Sequence, residues 1–210
     1  MSAARVVLWR HGQTGHNAAD RFQGQLDVPL DDVGRRQAHR AAEMLRGLAP
    51  TRIVSSDLSR AADTAAALAA LTGLVVETDT ALRELFAGQW QGLTRAEIES
   101  RWPQEFAAWR GGDDVPVGGG ERRSEAGRRA AAAIGRHAAA TPDGGVLVVT
   151  GHGGALRGAM LHLLALPLAA WSAFGGLANT HWALLVPRGT GWSLAEYNVG
   201  PHGAHVGSEG

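Results

Sequence analysis

The chain contains no cysteine and no lysine. Without cysteine, disulfide staples and thiolate chemistry are excluded, and the redox compartment leaves no mark on the sequence. Without lysine, a Walker-type phosphate loop and any Schiff-base mechanism are excluded, because both need an amine. All 20 basic residues are arginine, and 20 acidic residues balance them to a formal charge of zero. A neutral chain is a poor generic binder of nucleic acid or of an anionic membrane surface. No apolar run reaches the ~18 residues of a membrane span. The first residues lack the pattern of a secretory leader, since Arg5 and Arg10 bracket only four apolar residues. The expectation is a cytoplasmic protein that binds neither nucleic acid nor membrane. At 210 residues it has room for a substantial core in one domain with a modest insertion.

What is present is an alternation of short apolar runs and Ala-rich helical patterns. Val6 to Trp9 reads as a strand apolar on both faces, as in a buried parallel sheet. Gly15 to Val28 is polar and reads as irregular. Pro29-Leu30-Asp31 signals a helix start with Asp31 or Asp32 as N-cap, and apolar residues at three-to-four spacing carry that helix to about Leu48. Ile53-Val54 is a brief strand. Leu58 to Leu71 is helical and stops at Gly73, before a strand over Leu74 to Glu77. Ala81 to Leu93 reads as a loop, and Thr94 to Glu97 as a capping box. Gly111 to Gly120 reads as a Gly- and Asp-rich mobile loop. A helix over Glu121 to Ala140, a strand over Val146 to Val149, a helix over Ala155 to Leu166 and two late strands, Trp182 to Val186 and Trp192 to Tyr197, complete the pattern. This alternation predicts an α/β fold: a three-layer α/β/α sandwich with a mostly parallel sheet. Residues 1–200 form the expected domain, with a small helical cap at about 94–121 over the C-terminal strand edge. Residues 201–210 read as a disordered tail.

Three of these strands end in polar residues of one chemical type. The first ends in Arg10-His11-Gly12, the second leads into Ser59-Arg60, and the strand at Val149 leads into His152-Gly153-Gly154 at a helix start. In a parallel sheet these ends share one edge. Two arginines, two histidines and the amides of a Gly-rich helix N-terminus make an anion pocket suited to phosphate. An imidazole beside fixed positive charge is held neutral, and a neutral imidazole beside an oxyanion-binding arginine is a nucleophile for a phosphoryl group. His202 and His205 have metal-like spacing but no third ligand, and no metal site is expected.

RHGQTGHN (10–17), FQGQLDVPLDDVGRRQA (22–38), SSDLSRAADTA (55–65), LRELFAGQWQGLT (82–94) and VTGHGG (149–154) occur in an order that resembles the histidine phosphatase superfamily, in its phosphoglycerate-mutase-like branch. The resemblance implies that His11 is the nucleophile and becomes a phosphohistidine, while Arg10, Arg60 and His152 hold the phosphoryl oxygens. It implies that Glu84 protonates the leaving oxygen and then activates water; Asp57 and Asp63 are the alternative acids. Thr14, Asn17, Gln23, Gly24 and Gly153 are implied phosphate or substrate contacts. Arginine and histidine do the electrostatic work, so the resemblance implies no metal and no cofactor. The substrate class is a small-molecule phosphate ester. A narrower likeness, in 55–65, 72–84, 88–98 and 166–182, points to members acting on a phosphorylated glycerate such as glucosyl-3-phosphoglycerate, and to a homodimer. The alternatives are a broad-specificity phosphatase and a phosphoglycerate mutase. One departure stands out: many relatives carry Gly-Gly-Glu-Ser, whereas here Gly119-Gly120-Glu121 is followed by Arg122, which would add positive charge near the pocket mouth.

Overall fold

The computed structural model describes residues 3–201. The buried apolar runs form a six-stranded sheet: β1 (Arg5–Arg10), β2 (Arg52–Ser55), β3 (Val76–Thr78), β4 (Val146–Gly151), β5 (Trp182–Arg188) and β6 (Gly191–Val199), in the order β3-β2-β4-β1-β5-β6.

 Pairing among β1, β2, β3 and β4 is parallel, and β5 and β6 add an antiparallel edge. The sheet is thus mostly parallel, as expected.

Alternation along the central strands sends side chains to two separate cores. Val6, Leu8, Leu147 and Val149 pack against Ala130, Ile134, Leu156 and Met160. These come from α6 (Arg123–Ala139) and α7 (Gly153–Leu163). Val7, Trp9, Ile53 and Val148 pack on the other face against Ala41, Leu45, Ala65 and Leu68, from α2 (Asp32–Arg46) and α3 (Ser59–Thr72). Two buried faces explain why β1 and β4 read as unbroken apolar runs. The architecture is the three-layer α/β/α sandwich.

Asp31 is the N-cap of α2, its carboxylate accepting the Gly34 amide at 2.7 Å. Gly73 ends α3 in the left-handed region, at φ 72°. Thr94 caps α4 (Arg95–Arg101) through the expected box with Glu97, and Pro103 opens α5 (Pro103–Gly111). These two helices close a third cluster around Trp90, Phe106 and Val117.

The structure corrects the sequence reading at several points: the third strand is Val76–Thr78 rather than 74–77, and 3₁₀ turns at Thr80–Leu82 and Gly88–Trp90 shape the stretch read as a loop. Residues 15–28 are not wholly irregular: Gly15–Ala18 forms α1, capped reciprocally by Thr14 and Asn17. Asparagine plays the part that glutamate or glutamine usually takes in a capping box, which hid the signal. Residues 111–120 contain a 3₁₀ turn, Val117–Gly119, anchored by the buried Val117. Helix α7 begins at Gly153 and ends at Leu163, so its free amides lie directly after β4. Residues 202–210, with His202 and His205, lie outside the described residues.

Helices α6 and α7 cross without side chains between them: a Cβ on Gly127 would stand 2.7 Å from the Gly158 carbonyl carbon. Gly127→Ala therefore forces the helices apart, at a cost of roughly 1–3 kcal/mol. Around Gly135, on the same helix, a Cβ meets nothing within 4 Å, and alanine there gains helix propensity. Thermal unfolding should show a lower midpoint for Gly127→Ala and an equal or higher one for Gly135→Ala; equal midpoints for Gly127→Ala and wild type would contradict the close approach.

Candidate active site

The register sets the C-terminal strand ends side by side. Arg10 of β1 pairs with Gly151 of β4, and Ser55 of β2 with Thr150 of β4. Beyond this edge lies a cavity of about 640 Å³, lined among others by Arg10, His11, Asn17, Gln23, Gly24, Arg60, Glu84 and Gly153.

His11 is 2% exposed, and its Nδ1 lies 2.6 Å from the Gly12 carbonyl oxygen. A carbonyl only accepts, so Nδ1 carries the proton and Nε2 carries the lone pair. Burial first, then the positive charges of Arg60 and Arg10, hold the imidazole pKa well below its usual value. The neutral form expected from the Arg-His juxtaposition is present, but desolvation outweighs the neighbouring charge.

Arg60 is fully buried at the start of α3. It donates from Nε to His152 Nδ1 at 3.2 Å, from Nη1 to the Leu26 carbonyl at 2.7 Å and from Nη2 to the Gly24 carbonyl at 2.8 Å. A guanidinium has five N–H groups, so two remain for a ligand. Burial lowers its pKa to about 10, which leaves it charged at neutral pH. Arg10 donates to the Leu177 carbonyl, and its buried Nε has no partner. The first turn of α7 approaches this guanidinium closely: a Cβ on Gly153 would lie 3.5 Å from Arg10 Nε.

His152 abuts His11, with ring centroids 5.2 Å apart. Its Nδ1 accepts from Arg60, so Nε2 carries the proton toward Ser56 Oγ, 2.9 Å away. It is fully buried and its pKa is pushed well below the usual value, by desolvation first and then by Arg60.

Glu84 meets the amides that open α7. Its Oε2 accepts from Gly154 at 3.0 Å, and its Oε1 from Ala155 at 2.8 Å and from Leu85 at 2.9 Å. Arg129 of α6 clamps the loop behind it, donating to the carbonyls of Ala81 and Arg83 and pairing with Glu121 at 2.8 Å. Glu121 in turn accepts the Phe86 amide at 2.9 Å. Asp57, an alternative acid, is taken by Arg83, whose Nε donates to it at 2.8 Å; neither Asp57 nor Asp63 lines the cavity.

The smaller contacts divide. Thr14 is fully buried and does not line the cavity; its hydroxyl donates to Gln23 Oε1 at 2.8 Å, and its amide to Asn17 Oδ1 at 3.2 Å. With their oxygens so engaged, both carboxamides offer NH₂ donors. Gly24 holds Arg60 through its carbonyl, at φ 51°, where a Cβ would clash with Gln91. Sequence reasoning missed Asn179, whose Nδ2 donates to the His11 carbonyl at 3.0 Å, and Arg123, Arg157 and Trp171 on the far wall. Trp171 and Asn179 fall in the stretch 166–182 that carries the narrower likeness, which did not mark them as site residues, and no motif marks Arg123 or Arg157. Trp109 lines the cavity but Trp102 does not, and the exposed Arg122 stays outside it; the added positive charge comes from Arg123 instead. Among the described residues, no group of three or more histidine, aspartate or glutamate side chains is placed to hold a metal, and no helix is long and apolar enough to cross a membrane.

A neutral imidazole presenting Nε2 beside the buried guanidinium of Arg60 and the half-buried one of Arg10, at the C-terminal edge of the parallel strands, defines a phosphoryl-transfer pocket. The chain belongs to the histidine phosphatase superfamily (branch 1), whose model matches residues 6–200, and it is an enzyme of the phosphatase class. It is 44% identical over 192 residues to the glucosyl-3-phosphoglycerate phosphatase of Mycobacterium tuberculosis, covering 88% of this chain and 86% of that protein. It is 40% identical over 171 residues to a Yersinia pestis protein named "Probable phosphoglycerate mutase GpmB", covering 79% of this chain and 77% of the relative. A mycobacterial glucosyl-3-phosphoglycerate phosphatase solved in complex with VO₃ superposes with a TM-score of 0.88 at 42% identity, covering 93% of this chain and 98% of that one.

The depressed histidines fix the sign of a pH effect. His11 and His152 have folded pKa values below the usual 6.5, so below that pH the unfolded chain binds more protons. Their stabilising contribution is complete above pH 6.5 and is lost as pH falls toward the folded values. The urea midpoint should therefore drop between pH 7.5 and pH 5.5, and His11→Gln should flatten part of that slope. A midpoint that rises on acidification would show that these imidazoles are not buried in neutral form.

Proposed function

We propose that the protein is a phosphomonoesterase working through a phosphohistidine, and that glucosyl-3-phosphoglycerate is its substrate. The observation that carries the mechanism is the His11 tautomer, fixed by Gly12 with Nε2 free in a cavity lined by seven arginines and only two acids. The substrate reading is supported by the mycobacterial relatives.

In this reading Arg10, Arg60, the NH₂ groups of Asn17 and Gln23, and the Gly153 amide bind the phosphoryl oxygens; His152, implied by the resemblance as a further contact, does not line the cavity and has both ring nitrogens engaged by Arg60 and Ser56, so it positions Arg60 instead. His11 Nε2 attacks phosphorus and the P–O bond to the glycerate breaks. Glu84 gives its proton to the departing alkoxide. Glu84 then takes a proton from a water molecule as that water attacks the phosphohistidine, releasing inorganic phosphate and restoring neutral His11. Charge spreading over the phosphoryl oxygens is met by donors already in place. Residues 94–121, which include α4 and α5, are the substrate cap within one domain. The same reading makes the protein a cytoplasmic homodimer, on its likeness to the family over 166–182; light scattering of the purified chain tests the oligomer. The Yersinia relative supports a second reading, a mutase that returns the phosphoryl group to an acceptor instead of to water.

Phosphate release should be measured in EDTA from glucosyl-3-phosphoglycerate, 3-phosphoglycerate and p-nitrophenyl phosphate. The first should be preferred, and His11→Ala should lower kcat at least about a thousandfold on all three. Isomerisation of 3-phosphoglycerate without net release, after priming with a bisphosphate, would establish the mutase. Glu84→Gln should slow the glycerate ester roughly 10²–10⁴-fold and p-nitrophenyl phosphate much less, because nitrophenolate leaves without a proton. Equal losses on both esters would remove Glu84 from the acid role.

A further inference from the structure

Arg123 and Arg157 take no part in the chemistry above, yet both line the same cavity. Arg123 opens α6 and is 6% exposed. The ring centres of Trp109 and Trp171 each lie 4.9 Å from its Cζ. Its Nη1 is buried and has no hydrogen-bond partner among the described residues. Arg157 stands 4.3 Å from the Trp171 ring centre and donates to the Trp171 carbonyl, and its buried Nε is likewise unpartnered. Burial and the like charge of Arg157 lower Arg123 to about 10, so it stays cationic at neutral pH.

One buried and one half-buried cation, each with a buried donor left open, call for an anion. The acids of the cavity do not provide it: Glu84 is held by the amides of Leu85, Gly154 and Ala155, and Asp20 pairs with Arg95 at 3.3 Å. Asp114 and the exposed Asp113 oppose the lowering of the Arg123 pKa from beside the helix start, but Asp114 accepts the Ser124 amide at 3.1 Å and, among the described residues, neither makes an ion pair with Arg123. The anion must arrive with the ligand. Indole contacts occupy guanidinium faces and leave the in-plane N–H fork, which matches the two coplanar oxygens of a carboxylate. Arg157 follows Gly153 by four residues on α7, so it shares a helix face with the phosphoryl end at roughly 6 Å of axial rise.

We propose that Arg123 and Arg157 form a carboxylate subsite, held by Trp109 and Trp171, through which the enzyme selects phosphate monoesters of hydroxy acids over those of the corresponding alcohols. The proposal rests on His11 marking the phosphoryl end of the cavity, and it deepens the substrate reading without depending on the glucosyl group.

The test compares kcat/KM within two pairs that differ only in the carboxylate: 3-phosphoglycerate with glycerol 3-phosphate, and glucosyl-3-phosphoglycerate with the analogue bearing CH₂OH in its place. Wild type should favour the acid of each pair at least tenfold. Arg123→Met should erase roughly tenfold or more of that preference, mainly through KM, with partial recovery in Arg123→Lys. If Arg123→Met does not fold, Arg157→Gln carries the same comparison. A wild-type ratio near one, a ratio kept in the folded variants, or equal losses on acid and alcohol would each overturn the subsite. Poor turnover of glucosyl-3-phosphoglycerate with an Arg123-dependent preference for 3-phosphoglycerate over glycerol 3-phosphate would instead overturn the substrate reading and support the subsite.

Discussion

Burying Arg60 as a cation is the constraint on which the rest of the site depends. Its guanidinium is bonded to two carbonyls and one imidazole and to no carboxylate. Neutral acceptors satisfy its hydrogen bonds without cancelling its charge, so its field persists at His11 and in the cavity. Each acceptor also fixes a piece of the chain. The Gly24 and Leu26 carbonyls draw the segment after α1 over the start of α3, and Gly24 needs a left-handed backbone to present its oxygen there. His152 must be neutral to accept from Nε, which its burial and surroundings enforce. A carboxylate in place of any of these would steady the arginine and weaken the pocket.

The second constraint is the N-terminus of α7. Its amides suit an anion, and two of them, those of Gly154 and Ala155, are given to Glu84. The same helix start thereby serves both ends of the reaction. Gly153 stands against Arg10 on the phosphoryl side, while the following turn holds the proposed acid at a fixed distance from it. Arg129 and Glu121 make that arrangement rigid from outside, tying the Glu84 loop to α6. Because α6 meets α7 through Gly127 and Gly158, the clamp and the amides it serves lie on two helices in direct backbone contact.

The strand-end residues were legible because local signals and topology coincide there. Arg10, His11, Arg60 and His152 each follow an apolar run, and a parallel sheet carries such ends to one edge. Glu84 was legible only through family resemblance, since nothing about a loop glutamate predicts that it will reach helix amides about 70 residues away in sequence. Thr14 shows a different limit. The family resemblance implied a ligand contact, whereas its hydroxyl and amide orient Gln23 and Asn17. Arg123, Arg157 and Trp171 were not legible at all, because their meaning comes from cation–π contacts between elements far apart in the chain. An arginine in an Ala-rich helix looks solvated until its neighbours are known.

The two sets of arginines are held by different physics, and the difference has a functional consequence. At the phosphoryl end, carbonyls and an imidazole consume most of the donors of Arg60, so its orientation is set before any ligand arrives. Preorganisation of this kind favours charge that develops during transfer. At the far wall, indole rings hold Arg123 by its faces and leave donor edges open. Stacking restrains a guanidinium less narrowly than directed hydrogen bonds do, so that wall can accommodate ground-state groups of the substrate. A chain of zero formal charge therefore concentrates arginine in one cavity and assigns the two ends of that cavity to different work: fixed donors where bonds change, and open donors where substrates are chosen.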